Sequence, residues 1–358
     1  MKFVHIADIH FDSPFVALKN RNFLMEQRIL EQRNVFKKVI EYIKQQRIEY
    51  LFISGDLYEN EHIKKSTIDF INNQFQTIPE TKIFISPGNH DPMLKDSYYD
   101  NYEFAENVKI FKTEIIEKYS DENVEIYGLG FKNFYMEKNL FNDFKLENSV
   151  KPQILVMHGD LNGVKDGAGL SYNPIPEKIL NSLEFNYVAL GHIHKNNFEK
   201  NKPIQYPGSL ISLGFDEPGK HGMIVGEIRN NKLTTEFIEL DNREFVELNI
   251  DITNMYSQND IIENINTLYL EKNNLYKITL TGARKFVINI REIQKFIDND
   301  KIIKIKDTTK LGYDLEEIAN ETTLRGIYVR KLLEKLKTGL YEEEVIEKAI
   351  EIGLEAME

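Results

Sequence analysis

Over roughly the first 240 residues, short β-rich runs alternate with longer stretches of helical periodicity, and nearly every run ends on acidic, amide or imidazole side chains. The runs cover 3–7, 50–54, 82–86, 124–129, 153–157 and 187–190 and are rich in Ile, Val, Phe, Tyr or Leu, the residues that fit a pleated, buried surface. Five of them lead into Asp8-Ile9-His10, Gly55-Asp56, Gly88-Asn89-His90-Asp91, His158-Gly159-Asp160 and Gly191-His192-Ile193-His194. Between the first two runs, Leu24, Ile29, Leu30, Val35, Phe36, Val39, Ile40 and Ile43 recur at helical spacing and predict a helix over 21–47. A second helix is expected over 62–76, and a hairpin joins 223–228 to 233–238. This alternation predicts an α/β layered domain. In open α/β sheets ligands gather beyond the carboxyl ends of the strands, where the five motifs fall.

The residue types limit the chemistry. With no cysteine among 358 residues, thiolate nucleophiles, disulfides and cysteine-held metal clusters are impossible. Hard carboxylates, an amide oxygen and imidazoles suit mixed oxygen and nitrogen coordination of a pair of divalent ions. Asp-x-His and His-x-His space their side chains two apart, which in an extended segment turns both to one side. If Asp8 and Asp56 are the ionised ligands, the empty site carries −2 and two divalent ions make it +2. That local charge would attract phosphate although the chain as a whole is at −12. Of the eight histidines, His5, His62 and His221 lie outside the motifs and are read as ordinary surface or core residues.

A boundary falls near 241–244, after which strands at 245–250, 275–280 and 302–306 alternate with helices near 258–270 and 289–298. The expected organisation is a catalytic domain over 1–242, a small α+β module over 243–315 and a helical segment over 316–358. In the last, Leu324, Tyr328, Leu332, Leu333 and Leu336 form an apolar stripe, repeated by Val345, Ile346, Ala349 and Ile350. No apolar run approaches the ~20 residues that cross a bilayer. The chain enters its first strand at once, without a leader pattern, so no membrane association is expected and the cytoplasm is the expected location.

The ordered set Asp-x-His, Gly-Asp, Gly-Asn-His-Asp, His and Gly-His-x-His resembles the calcineurin-like metallophosphoesterase superfamily. Gly55-Asp56-Leu57-Tyr58, Tyr206-Pro207-Gly208-Ser209 and the added C-terminal module are similar to the SbcD-type DNA repair nucleases. Thr323-Leu324-Arg325-Gly326 and the trailing helices point within them to the YhaO-like branch.

The resemblance implies a β-sandwich flanked by helices, a smaller α+β capping domain that helps hold DNA, and C-terminal helices. Asp8, His10 and His194 would hold one ion, Asn89, His158 and His192 the other, and Asp56 would bridge them. Manganese is the first expectation, with Fe, Zn or Mg as alternatives. His90, oriented by Asp91, would serve the leaving oxygen while a metal-activated water cleaves a phosphodiester. The implied function is a metal-dependent DNA nuclease of the repair type. DNA and an SbcC-type coiled-coil ATPase docked on 316–358 are the implied partners, and homodimerisation is a further family expectation. Lys285, Arg291, Lys295, Lys301, Lys304 and Lys306 make 285–306 locally basic, compatible with phosphate contact. No Gly-x-x-x-x-Gly-Lys-[Ser/Thr] loop is present, so any ATP dependence comes from another subunit.

One position departs from the pattern: some relatives carry a histidine three residues after the bridging aspartate, where this chain has Glu59. Either an acidic group there repels a phosphate backbone, or it points to solvent. Two other functions compete. The first is a phosphatase or phosphodiesterase acting on a non-DNA ester, although the stretch after Asp56 lacks the arginine that phosphatases place near substrate. The second is a non-catalytic DNA-binding scaffold.

Overall fold

The computed structural model describes residues 1–137, 139–163 and 171–357, so residue 358, the end of the expected docking segment, lies outside it. The chain divides into two compact units, Met1–Glu244 and Phe245–Glu358.

The first unit holds two sheets. One runs in the order Lys232–Glu239 (β11), Gly222–Arg229 (β10), Lys2–Ile6 (β1), Tyr50–Ile53 (β2), Lys82–Ile85 (β3) and Val108–Ile110 (β4). The other runs Glu117–Ser120 (β5), Glu125–Gly128 (β6), Gln153–His158 (β7), Tyr187–Gly191 (β8) and Ile204–Gln205 (β9). The two sheets share a core in which Phe3, Phe52 and Phe84 meet Ile126, Ile154, Val156, Tyr187 and Ala189. Alternate residues of β7 and β8, namely Leu155, Met157, Val188 and Leu190, face the other way onto Leu180. The period of two in the sequence thus becomes two buried faces. Against the first sheet's outer side lies the helix Asn22–Gln46 (α1), which buries Val35, Phe36, Val39, Ile40 and Ile43. Its partner Lys65–Gln76 (α2) brings the Phe75 ring 6.1 Å from that of Phe36. Each such buried aromatic contributes about 2–3 kcal/mol over leaving it exposed. Two short helices, Tyr98–Asn101 (α3) and Glu177–Leu183 (α4), also belong to the unit. The fold class read from the sequence is the one observed. Strands β4, β5 and β9, short edge or near-edge segments, had no sequence signature.

Register positions the site. Ile6 pairs with Ile53, and Ile53 with Ile85, all in parallel strands. The chain therefore leaves β1, β2 and β3 side by side, just before Asp8, Asp56 and Asn89. In the second sheet His158 pairs with Gly191, which places His192 beside it.

The second unit opens with a parallel sheet of Phe245–Asp251 (β12), Leu275–Thr281 (β13) and Ile302–Asp307 (β15). The helices Gln258–Asn266 (α5) and Ile290–Phe296 (α6) cover it through Ile261, Ile265 and Ile293. The helix α5 starts on a capping box between Ser257 and Asp260. A two-stranded pair, Ala283–Arg284 (β14) and Lys310–Leu311 (β16), lies beyond the main sheet. The helices Leu315–Ala319 (α7), Leu324–Lys337 (α8) and Glu343–Glu355 (α9) then pack on their own core of Ile318, Val329, Ile346, Ile350 and Leu354. Among the described residues no helix is long and apolar enough to cross a membrane.

Candidate metal centre

All seven candidate ligands lie on loops just past, or at the last residue of, β1, β2, β3, β7 and β8. Asp8, His10 and His194 form one group whose donor atoms are all within 4.8 Å of one another, and Asp8, Asp56 and His158 form another. Asp56 sits between the halves, its Oδ2 3.7 Å from His10 Nε2 and 3.3 Å from His158 Nε2. Asn89 Oδ1 lies 2.9 Å from His158 Nε2 and 3.2 Å from His192 Nδ1.

The backbone reaches this convergence differently from the sequence expectation. Asp8 and His10 are not in an extended segment. Both adopt left-handed conformations at φ of 51° and 52°, as do Asp56 at 51° and His192 at 109°. Such residues cost of the order of 1 kcal/mol or more each and persist where surrounding contacts fix them. Those contacts are backbone and side-chain hydrogen bonds. The amide of Asp8 donates to Gly55 O at 3.1 Å, that of His10 to Asp56 O at 2.8 Å, and that of His192 to Asp8 Oδ1 at 2.9 Å. From α1, Gln32 donates to the Ile9 carbonyl at 2.5 Å. Two glycines are needed for space: a Cβ on Gly55, at φ 85°, would stand 2.3 Å from His158 Nδ1, and one on Gly88 would stand 2.3 Å from Asp56 Oδ1.

Two glutamates outside the motifs complete the arrangement. His10 donates its Nδ1–H to Glu59 Oε1 at 2.7 Å, and His194 donates its own to Glu217 Oε1 at 2.5 Å. His158 donates its Nδ1–H to the Ser54 carbonyl at 2.9 Å. With Nδ1 of each ring turned to a glutamate, the Nε2 atoms of His10 and His194 face each other at hydrogen-bond distance, 3.0 Å. Lone pairs that close repel unless a cation or proton lies between them. Together with the hard oxygen donors, the set fits divalent metal ions with outer carboxylates that orient their imidazoles.

Glu59 does not point to solvent. Its second oxygen accepts from His90 Nδ1 at 2.9 Å, so one carboxylate joins two imidazoles. The His90 side chain remains 45% exposed at the mouth of the site. The expectation that Asp91 orients His90 is corrected. The Asp91 carboxylate accepts from the amides of Gly88 at 2.6 Å, Leu57 at 2.7 Å and Asp56 at 3.0 Å, and from Tyr99 Oη at 2.7 Å. It ties the β2 and β3 loops together. Nothing in the motif spacing revealed Glu59 or Glu217 in these positions.

The electrostatics follow from burial and pairing. Burial raises the carboxyl of Asp8. It would raise Asp56 too, but the charge and hydrogen bond of the His158 ring, with a smaller contribution from the neighbouring imidazoles, overcome it and hold that group well below its usual range. Burial opposes protonation of His158, His194 and His90, yet carboxylate partners raise each to about 9: mainly Asp56 for His158, Glu217 with Asp8 for His194, and Glu59 with Asp56 for His90. His192, buried beside His158, falls to about 3. Hydrogen bonds from His10 and His90 outweigh burial at Glu59 and lower it to about 2. Where no cation is bound, protons occupy the region that gathers these carboxylates.

The remaining histidines have the ordinary settings expected. His5 is buried against Tyr187 Oη at 2.9 Å, His221 against Ser209 Oγ at 2.9 Å, and His62 is exposed.

The family model for calcineurin-like phosphoesterases matches residues 1–196. The chain is 24% identical over 263 residues to the uncharacterized metallophosphoesterase YhaO of Bacillus subtilis, covering 71% of this chain and 64% of that protein. It is 24% identical over 336 residues to the D subunit of nuclease SbcCD from Staphylococcus epidermidis, covering 84% of each. The corresponding SbcCD protein of Staphylococcus saprophyticus is 26% identical over 272 residues, covering 67% of this chain and 69% of that protein.

Proposed function

The chain belongs to the calcineurin-like phosphoesterase family, and from that premise we propose that it is a metal-dependent phosphodiesterase that cleaves DNA. The observation that carries the reading is the meeting of seven oxygen and nitrogen donors from five strand ends beneath an exposed imidazole. The similarity to one nuclease subunit over 84% of the chain and to another over 67% supports DNA as the substrate.

In this reading Asp8, His10 and His194 would hold one ion and Asn89, His158 and His192 the other, with Asp56 shared between them; manganese is the first candidate. When bound, such ions supply an activated water and screen charge on the phosphoryl oxygens. The chain's own residues do the rest. His90, held at the mouth by Glu59, donates a hydrogen bond or proton to the leaving oxygen. Asp91, through the amides of Gly88, Leu57 and Asp56, keeps the loops bearing Asp56 and Asn89 in fixed relation. Glu59 turns both oxygens to imidazoles, so its charge is compensated and it no longer argues against an approaching phosphate backbone.

The second unit, with the basic residues of 285–306, is assigned to DNA contact. Residues 316–358 are assigned to docking an SbcC-type ATPase, with homodimerisation and a cytoplasmic location part of the same reading. Leu324 on α8, Ile352 on α9 and Leu340 in the connection between them, at 72, 58 and 79% exposure, give this segment apolar surface for a partner. Deleting 316–358 should abolish co-purification with the ATPase and preserve metal-dependent cleavage.

The deciding experiment is cleavage of end-labelled single- and double-stranded DNA with Mn²⁺, Mg²⁺ or chelator, beside bis-p-nitrophenyl phosphate. Metal-dependent cutting of DNA is expected. Activity on the small ester alone would favour a non-DNA phosphoester.

A further inference from the structure

Glu59 lies between two loops that the proposed chemistry uses for different purposes. Its own amide donates to the Phe11 carbonyl at 3.0 Å, and the next amide, that of Asn60, donates to the His90 carbonyl at 3.0 Å. Its backbone is thus stitched to the loop that carries His10 and to the loop that carries His90. The side chain repeats the link, with Oε1 at 2.7 Å from His10 Nδ1 and Oε2 at 2.9 Å from His90 Nδ1. The two rings stand edge to face, their centroids 4.9 Å apart. Glu217 is different: among the described residues its carboxylate meets one imidazole, that of His194, and its other oxygen accepts from Ser209 Oγ and the Leu213 amide, both at 2.9 Å.

We propose that Glu59 is a positioning residue that yokes His90 to His10, so that the proton donor is aligned by the same carboxylate that fixes one wall of the metal centre. The inference rests on the reading of His90 as the group that serves the leaving oxygen. A ring anchored through Nδ1 presents Nε2 in one direction. In the bond-breaking step the phosphorus–oxygen electron pair goes to the leaving oxygen, which takes the Nε2 proton. An unanchored, 45% exposed ring would sample several rotamers and deliver that proton less often. A carboxylate is required because it can accept two Nδ1–H donors at once, whereas a glutamine has one side-chain acceptor oxygen.

The test compares the wild type with E59A, E59Q, E217A and H90A in the full chain with Mn²⁺. Bis-p-nitrophenyl phosphate, whose leaving group needs no proton, is assayed beside a thymidine dinucleotide, whose alkoxide does. We expect E59A to lower dinucleotide cleavage about ten-fold more than cleavage of the aryl ester, and E59Q to show the same bias in weaker form. The H90A/E59A double variant should cleave the dinucleotide no more slowly than H90A alone. E217A should lower both substrates equally, in step with its Mn²⁺ content. Long-range proton–nitrogen spectra, recorded with diamagnetic Mg²⁺ in place of Mn²⁺, should show a hydrogen-bonded His90 Nδ1–H in the wild type that is absent from E59A, a readout independent of turnover. Equal loss on both substrates in E59A, additive losses in the double variant, or an unchanged Nδ1–H signal would each overturn the inference. A wild type inactive on both esters with Mn²⁺ would instead sink the phosphodiesterase reading beneath it.

Discussion

The Nε2 atoms of His10 and His194 stand 3.0 Å apart, while each ring gives its opposite nitrogen to a glutamate. Two loops far apart in sequence are folded so that two ring nitrogens meet across one proton, whose place a bound cation would take.

The first prediction concerns the exchange of protons for metal. His158 and His194 are raised to about 9 where no cation is bound, by Asp56 and by Glu217 with Asp8. A metal ligates the neutral imidazole, so at pH 7.5 binding must displace these protons, roughly two per site pair. Apparent Mn²⁺ affinity should therefore rise with pH up to about 9 and then level off. Titration calorimetry in buffers of different ionisation enthalpy reads the proton release directly, and a count near zero would contradict the assignment.

Mutation should separate holding metal from moving protons. Asp56 is buried and within 3.7 Å of both His10 and His158, so Asp56→Ala should lose both bound ions and activity. His90 is not among the seven proposed ligands, although it forms a further donor group with His10 and Glu59; in the proposed division of roles His90→Ala should keep near-normal content of the two ions and lose activity by roughly 10²–10⁴. Elemental analysis beside initial rates decides between them; a metal-free His90 variant would end the division of roles.

Asp91→Ala is a different kind of lesion. It removes the acceptor for three buried amides and the Tyr99 hydroxyl. Each orphaned buried donor costs about 1–3 kcal/mol. The loss of stability should reach at least ~3 kcal/mol, seen as a lower denaturation midpoint, with Mn²⁺ binding weakened because the Asp56 and Asn89 loops lose their common tie. Loss of activity at unchanged stability would mean that Asp91 acts in the chemistry itself.

These outcomes bear on what the sequence made legible. Asp8, Asp56, Asn89, His158 and His192 could be found because each follows a β-rich run, and parallel pairing in register then carries them to one rim. Glu59 and Glu217 could not, since neither sits at a strand end or in a spaced pair. Asp91 misleads for a related reason. Adjacency to His90 suggests contact, but the carboxylate turns back to the amides of its own turn and of the β2 loop. The left-handed residues at Asp8, His10 and Asp56 leave no trace in the spacing, because spacing arguments assume extended chain. Strands β4 and β9, three and two residues long, are set by the neighbours they pair with and have no period to detect.

A buried ion pair gives a prediction about stability away from the centre. Arg28 of α1, 1% exposed, donates Nη1 to Asp241 Oδ1 at 2.9 Å and Nη2 to both Asp241 Oδ2 and the Ser212 carbonyl. Glu31 accepts from Arg28 and from Arg243, at 3.0 and 2.7 Å. Removing one charge leaves the other buried without its partner, so Arg28→Met should cost about 3–5 kcal/mol. Combining it with Asp241→Leu should recover part of that loss. Urea unfolding of the two singles and the double reads the coupling; simple additivity would show that the pair does not act as a unit.

His5 supplies the pH dependence of the fold itself. The ring is fully buried between the sheets, with Nδ1 2.9 Å from Tyr187 Oη and Nε2 3.2 Å from the Leu190 carbonyl. Burial is the main cause that lowers its pKa to about 3 from 6.5, against a smaller opposing pull from the Leu190 carbonyl. The unfolded chain therefore binds a proton that the folded chain excludes. The stability this group contributes is complete above pH 6.5 and is lost as pH falls from 6.5 toward 3, a slope approaching ~1.4 kcal/mol per pH unit. Replacing His5 with Gln, which keeps a donor and an acceptor but does not titrate, should lower stability at pH 7 and flatten its decline over that window. Denaturant midpoints measured at half-unit intervals from pH 7 to pH 4 test this. An equally steep decline in the variant would assign the acid sensitivity to the carboxylates of the metal centre and remove His5 from the account.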